Sequence, residues 1–131
     1  MKKIVTVAFL AIFIITGLLF LAPYIIVGGR TVNITDVTKE EIIILSAKGT
    51  EQNVHGIKIV VIGNIKGEAT IYRYYHDGRI YKEYAIKEKV CKFMGGEYYS
   101  NTCKLKYKPS NVTSGRLRIK YKFKTIKPTP E

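Results

Sequence analysis

Lys104, Lys106 and Lys108, followed by Arg116, Arg118, Lys120, Lys122 and Lys124, occupy alternate positions in two short stretches near the carboxy terminus. Successive side chains of a strand point to opposite faces, so each stretch presents a row of cations on one face and apolar residues on the other. The chemistry of such a row is anion binding. If the two stretches pair as a hairpin, their eight cations share a patch two strands wide, and an anionic partner or lipid head groups would relieve the repulsion within it. A solvated face that keeps an edge strand from aggregating accounts for the same pattern without a ligand.

Other chemistries find less support. Cys91 and Cys103 are the two cysteines of the chain; in an exported domain they predict one disulfide, whose loop would contribute about 3 kcal/mol. Their spacing is not that of a redox C-x-x-C pair. A structural zinc needs four ligands, and His55 and His76 stand in unrelated contexts, so no metal site is expected. Ser46, Ser100, Ser110 and Ser114 have no nucleophile motif around them, and no carboxylate pair or cofactor-binding motif is found. The chain therefore reads as non-enzymatic, with no catalytic residues and no cofactor. Tyrosines at 72, 74, 75, 81, 84, 98, 99, 107 and 121 offer rings on which bases or sugars stack, although tyrosine also suits half-buried strand positions in a small domain.

The elements that must position these residues follow an uncharged stretch, Ile4 to Val27. About 20 apolar helical residues cross the hydrocarbon core of a bilayer, so residues 4–27 are expected to engage lipid as a transmembrane helix. A cleaved signal peptide is the alternative. Ala22 would precede the cut, but Phe20 is bulky where a small residue is wanted and Pro23 would follow the scissile bond; Val27-Gly28-Gly29 is a better local match but needs an unusually long apolar segment before it. Lys2 and Lys3 place the amino terminus inside and the remainder outside the cell membrane. The resulting layout is a signal-anchor or signal peptide over residues 1–29, a short linker over 30–40, an extracytoplasmic β domain over 41–126 and a disordered tail over 127–131.

The formal net charge is +12 over 131 residues, and setting aside Lys2 and Lys3 leaves about +10 on a domain of about a hundred residues. Ile57 to Ile62 is apolar at both alternating sets of positions, the mark of a central strand. Gly63 to Gly67 reads as a turn and Glu68 to Tyr75 as a further strand. Asp77-Gly78 predicts a two-residue hairpin turn in which Tyr75 faces Ile80, Tyr74 faces Tyr81, Arg73 faces Lys82 and Tyr72 faces Glu83. The repulsive Arg73 and Lys82 pair implies either a longer turn or an acidic neighbour such as Glu68 or Glu83. Met94-Gly95-Gly96 reads as another break. Five to seven short strands without a further helix indicate a small antiparallel all-β domain, with an immunoglobulin-like sandwich as the expected architecture.

Together these features predict a membrane-anchored extracytoplasmic β domain that binds a protein or an anionic cell-surface polymer through its basic strand face. The exterior location and the absence of an RNA-binding signature argue against nucleic acid. The alternative is a structural or assembly subunit of a membrane complex, with the β domain as a cap. Asn33-Ile34-Thr35 and Asn111-Val112-Thr113 match the glycosylation pattern and mark exposed loops.

Overall fold

The computed structural model describes residues 5–15, 29–48 and 53–125. Residues 5–15 form an apolar helix whose side chains are all exposed, Phe13 at 77% and Val7 at 66% among them. Among the described residues no helix is long and apolar enough to cross a membrane. The rest of the span expected over 4–27, and the tail expected over 127–131, lie outside the described residues.

Six strands follow: β1 (Arg30–Asn33), β2 (Glu41–Ser46), β3 (Val54–Tyr74), β4 (Ile80–Glu97), β5 (Thr102–Pro109) and β6 (Ser114–Thr125). All pairings are antiparallel, and all six strands belong to one sheet. An immunoglobulin-like sandwich has two separate sheets; here one sheet curls, because β3 and β4 are long enough to run through both halves. β4 follows β3 along one edge from Gly56 opposite Glu97 to Tyr74 opposite Ile80. The other edge of β3 is shared, with β6 pairing Val54 to Lys66 and β5 pairing Ala69 to Arg73. β1 then borders β6 and β2 borders β5.

Gly63 to Gly67 is thus a corner within one strand rather than a reverse turn between two. The register with β4 shifts between Ile65 and Glu68, and there the chain bends, as a bulge permits. The β5–β6 loop holds the corner: Glu68 N donates to Asn111 Oδ1 at 2.6 Å, and Thr113 N donates to Lys66 O at 3.0 Å. Likewise Gly95 and Gly96 do not break β4, which continues to Glu97 opposite Gly56.

The curl encloses a single core. Ile57, Ile59 and Val61 of β3 and Leu117, Ile119, Tyr121 and Phe123 of β6 bring their inner faces to it from one half; Ile71, Leu105, Tyr107, Ile43 and Leu45 come from the other. The alternation in the sequence is therefore the alternation between core and solvent. Residues 30–40, expected as a linker, carry β1, and Ile34 and Val37 of the crossing to β2 are buried. The Tyr107 hydroxyl donates to Val37 O at 2.6 Å, pinning that crossing over the core, and burial pushes the phenol up to about 12.

The β3–β4 turn is longer than two residues. Tyr75 N donates to Arg79 O at 2.7 Å, Gly78 N donates to Tyr75 O at 3.0 Å, and Gly78 sits at φ 92°. A glycine in the left-handed region closing a longer loop shifts the register by one. Arg73 faces Lys82 and Tyr72 faces Glu83 as expected, whereas Tyr74 faces Ile80 instead of Tyr81.

Two glycines with positive φ separate local from tertiary strain. Gly115 (φ 136°) lies so close to β3 that a Cβ would run into the Asn64 carbonyl and come within 2.7 Å of the Ile65 Cα, whereas a Cβ on Gly78 would meet nothing within 4 Å. Gly78→Ala is expected to cost about 1 kcal/mol of unfolding free energy, the local backbone penalty alone. Gly115→Ala should cost about 3 kcal/mol or more, because β6 must also move off β3. Urea denaturation of the two variants measures both; equal losses would contradict the close approach at the corner.

Candidate anion-binding face

β5 and β6 do not pair with each other; they follow one another along the same edge of β3. The eight-cation hairpin patch is therefore not assembled. Lys104, Lys106 and Lys108 lie on the outside of the half built on β5, and Arg116, Arg118, Lys120, Lys122 and Lys124 on the outside of the half built on β6. Both rows point away from the core, since the residues between them are the buried ones.

The two rows differ in what surrounds them. On β5, Lys106 Nζ is 2.8 Å from Glu40 Oε1. This contact raises the lysine's pKa and holds the Glu40 carboxyl below the usual carboxylate range. Lys104 Nζ stands 4.7 Å from the centre of the Tyr74 ring. The outer neighbours on β2 are Ile42 and Ile44, each more than half exposed. On β6, by contrast, Arg116, Arg118, Lys122 and Lys124 have no acidic side chain at ion-pair distance among the described residues.

The register fixes what flanks the β6 row. Lys122 lies beside Lys58, Lys120 beside Val60 and Arg118 beside Ile62 on β3, while β1 sets Asn33 beside Arg118 and Thr31 beside Lys120. Lys58 thus widens the cationic row, a residue missed in the sequence because nothing local shows which strand borders β6. Val60 is fully buried although it stands outside the core cluster, between Lys120 of β6 and Phe93 of β4.

At the amino-terminal end of β6 the surface is concave. Asn33, Thr35, Ile62, Arg116 and Arg118 line a hollow of about 530 Å³, and Asn64, Lys66, Glu88, Ser114 and Arg116 line an adjoining one of about 660 Å³. Arg116 borders both. Two guanidinium groups beside the Asn33 amide form a set of hydrogen-bonding groups suited to an oxyanion, because arginine presents several fixed donors to carboxylate or phosphate oxygens. The crossing after β1 is held by Glu41, whose carboxylate accepts from Thr35 N at 3.3 Å and from Thr35 Oγ1 at 3.4 Å and so takes up both Thr35 donors.

The sequence-predicted cysteine pair is not bridged. Cys91 is exposed on β4, and Cys103 is fully buried on β5 opposite Leu45; both thiols are free. One side chain points to solvent and the other into the core, and a disulfide needs Cβ atoms about 4 Å apart with converging bonds. Burial pushes the Cys103 thiol up, against the opposing pull of Arg73 and of a hydrogen bond with Tyr98. Of the other residues considered for chemistry, His76 is exposed in the hairpin turn, and His55 is half-buried in β3, where its carbonyl accepts from Tyr98 N at 3.2 Å. Of the tyrosines, residues 84, 98, 107 and 121 are buried, and residues 75, 81 and 99 are exposed.

No protein-family model and no curated protein sequence matches this chain. Among solved structures it is similar to a crystal structure of PirA, with a TM-score of 0.48 and 13% identity over 71% of this chain and 92% of that one. It is also similar to a CBM4 structure, with a TM-score of 0.40 and 8% identity over 79% and 83% of the two chains. Neither likeness bears on function.

The thiol placement has a direct chemical readout. Iodoacetamide is expected to modify Cys91 in the folded, non-reduced protein within minutes and Cys103 only after denaturation. Mass spectrometry of the two peptides distinguishes them, and a mass two units low with neither site modified before reduction would show a disulfide instead.

Proposed function

We propose that this chain is a non-enzymatic binding module held at the outer face of the cell membrane, and that it engages an anionic surface polymer through β6. The observation that carries this reading is the row Arg116, Arg118, Lys122 and Lys124, which lacks acidic partners among the described residues and ends in a hollow lined by Asn33 and Thr35. A row of like charges one strand wide costs stability through repulsion, and a polymer with regularly spaced negative groups offsets that cost along its whole length. The row thus suits a polyanion better than a compact anion, with the Arg116 and Arg118 hollow receiving one group of the polymer. The helix over 5–15 exposes apolar side chains, a surface that lipid would cover.

A second reading, an assembly subunit of a membrane complex, has one observation in its favour. β2 (Glu41–Ser46) pairs on one side only, and its outer residues Ile42 and Ile44 are exposed without a lysine between them. An edge of that kind accepts another strand.

The two readings separate by charge reversal on each half. Long-chain polyphosphate serves as the probe, with the full chain in nonionic detergent. Replacing Arg116, Arg118 and Lys122 with Glu is expected to weaken binding at least tenfold and to flatten its salt dependence. Replacing Lys104 and Lys108 with Glu should leave binding within about twofold, because β5 lies on the other half of the sheet. Equal loss from both sets, or no loss from the first, would sink the β6 reading.

A further inference from the structure

The most unusual side chain in the protein is Arg73, a charged residue with only 1% of its surface exposed. Its Nη2 donates one long hydrogen bond, 3.4 Å, to the Glu97 carbonyl, while Nε and Nη1 have no hydrogen-bond partner among the described residues. No described carboxylate forms an ion pair with it. Tyr84 and Cys103 are its polar neighbours: burial raises the pKa of each, and the charge of Arg73 and a loose side-chain hydrogen-bond interaction with it pull the other way. Two rings enclose the guanidinium instead: Tyr81 lies 4.5 Å and Tyr98 5.4 Å from its central carbon.

Burying a cation without a counter-charge is costly, and arginine cannot escape the cost by losing its proton. Ring contacts recover only part of it. What would recover the rest is an oxyanion able to reach Nε and Nη1. The cover on one side is thin. Tyr81 is 43% exposed and belongs to β4, which among the described residues pairs only with β3, and the register shift between Arg73 and Tyr74 lies beside it. Tyr75 packs edge-on to Tyr81, with ring centres 5.1 Å apart, and is 41% exposed; Arg79 stands 5.2 Å from the Tyr75 ring centre. The tip of the β3–β4 hairpin is therefore an aromatic surface with the Arg79–Asp77 ion pair (2.8 Å) beside it and one cation concealed beneath it.

We infer that this hairpin tip is a second binding site, separate from β6, for a carboxylated sugar whose ring packs against Tyr75 and Tyr81 and whose carboxylate reaches Arg73 when the Tyr81 ring turns aside. A pyranose supplies what both parts of the site lack. Its flat C–H face covers exposed tyrosine rings, and a carboxylate on the ring carries the negative charge inward. A small inorganic anion could satisfy the guanidinium but would leave the tyrosines bare; a neutral sugar would do the reverse and would not repay the displacement of Tyr81 from its cation. The inference does not depend on the β6 reading.

Trigalacturonate is the probe, with galactotriose as the neutral counterpart and acetate as the free carboxylate. In the full chain labelled with ¹⁵N, the Arg73 Nε–H resonance is expected to shift and saturate with trigalacturonate, to stay in place with galactotriose, and to move with acetate only at concentrations at least a hundredfold higher. Calorimetry is done in protein whose Arg116, Arg118 and Lys122 are already replaced with Glu, so that the β6 row does not contribute, and there Arg73→Met should lose at least tenfold in affinity. An Arg73 resonance that does not move while trigalacturonate saturates, no binding of trigalacturonate, equal binding of galactotriose, or acetate acting at the same concentration would each overturn the inference. So would undiminished binding by a folded Arg73→Met variant. If that variant does not fold, the resonance in the unmodified protein decides alone.

Discussion

The backbone of β3 has to be hydrogen-bonded on both sides over nearly its whole length, and the rest of the structure is arranged to do this. Ile57, Ile59, Val60, Val61, Ile65 and Ile71 are each at most 1% exposed, so water cannot serve the amides and carbonyls between them. A buried peptide group without a partner costs about as much as a lost hydrogen bond. One flat neighbour on each side would satisfy the strand but would leave half of its apolar side chains facing solvent. The solution is a single long partner, β4, on one edge, and two short partners, β6 and β5, placed end to end on the other. The break between these short partners falls at the corner, where the sheet folds over its own core and the β5–β6 loop returns hydrogen bonds to Lys66 and Glu68.

That arrangement also decides the electrostatics. Because β5 and β6 are successive along β3 rather than side by side, their lysines and arginines occupy two separate outer faces, and each face has a different balance. The β5 row is tempered by Glu40 and by the Tyr74 ring. The β6 row borders Lys58 on β3 and opens at its far end into the hollows around Arg116. Charge that is spread over the sequence as a uniform excess becomes uneven on the surface.

The strands themselves were legible where the pattern is local. The alternation over Arg116 to Lys124 reports which side chains meet the core, and the doubly apolar run over Ile57 to Ile62 reports a central strand, paired along both edges. What escaped was whatever depends on a partner distant in sequence. Gly63 to Gly67 and Gly95-Gly96 have the composition of turns, and only their cross-strand neighbours, β6 and β4, show that they bend or carry on a strand. Asp77-Gly78 marked the hairpin correctly, but the loop length was set by the hydrogen bond between Tyr75 and Arg79. The cysteine spacing could not show that Cys91 faces out and Cys103 faces in. Arg73 gave one signal, its awkward pairing with Lys82; its burial beneath Tyr81 and Tyr98 is a tertiary property that no local pattern contains.

The fold depends on β3 acting as one strand shared by both halves of the sheet. Native-state hydrogen exchange tests this most directly, residue by residue, in the full chain. The amides of Ile59 to Val61, held between β4 and β6, and those of Ile71 to Arg73, held between β4 and β5, should exchange through the same global opening. They should therefore show the same opening free energy and the same dependence on added denaturant. If one set exchanges freely while the other stays protected, the two halves are independent units and the shared-strand account is wrong.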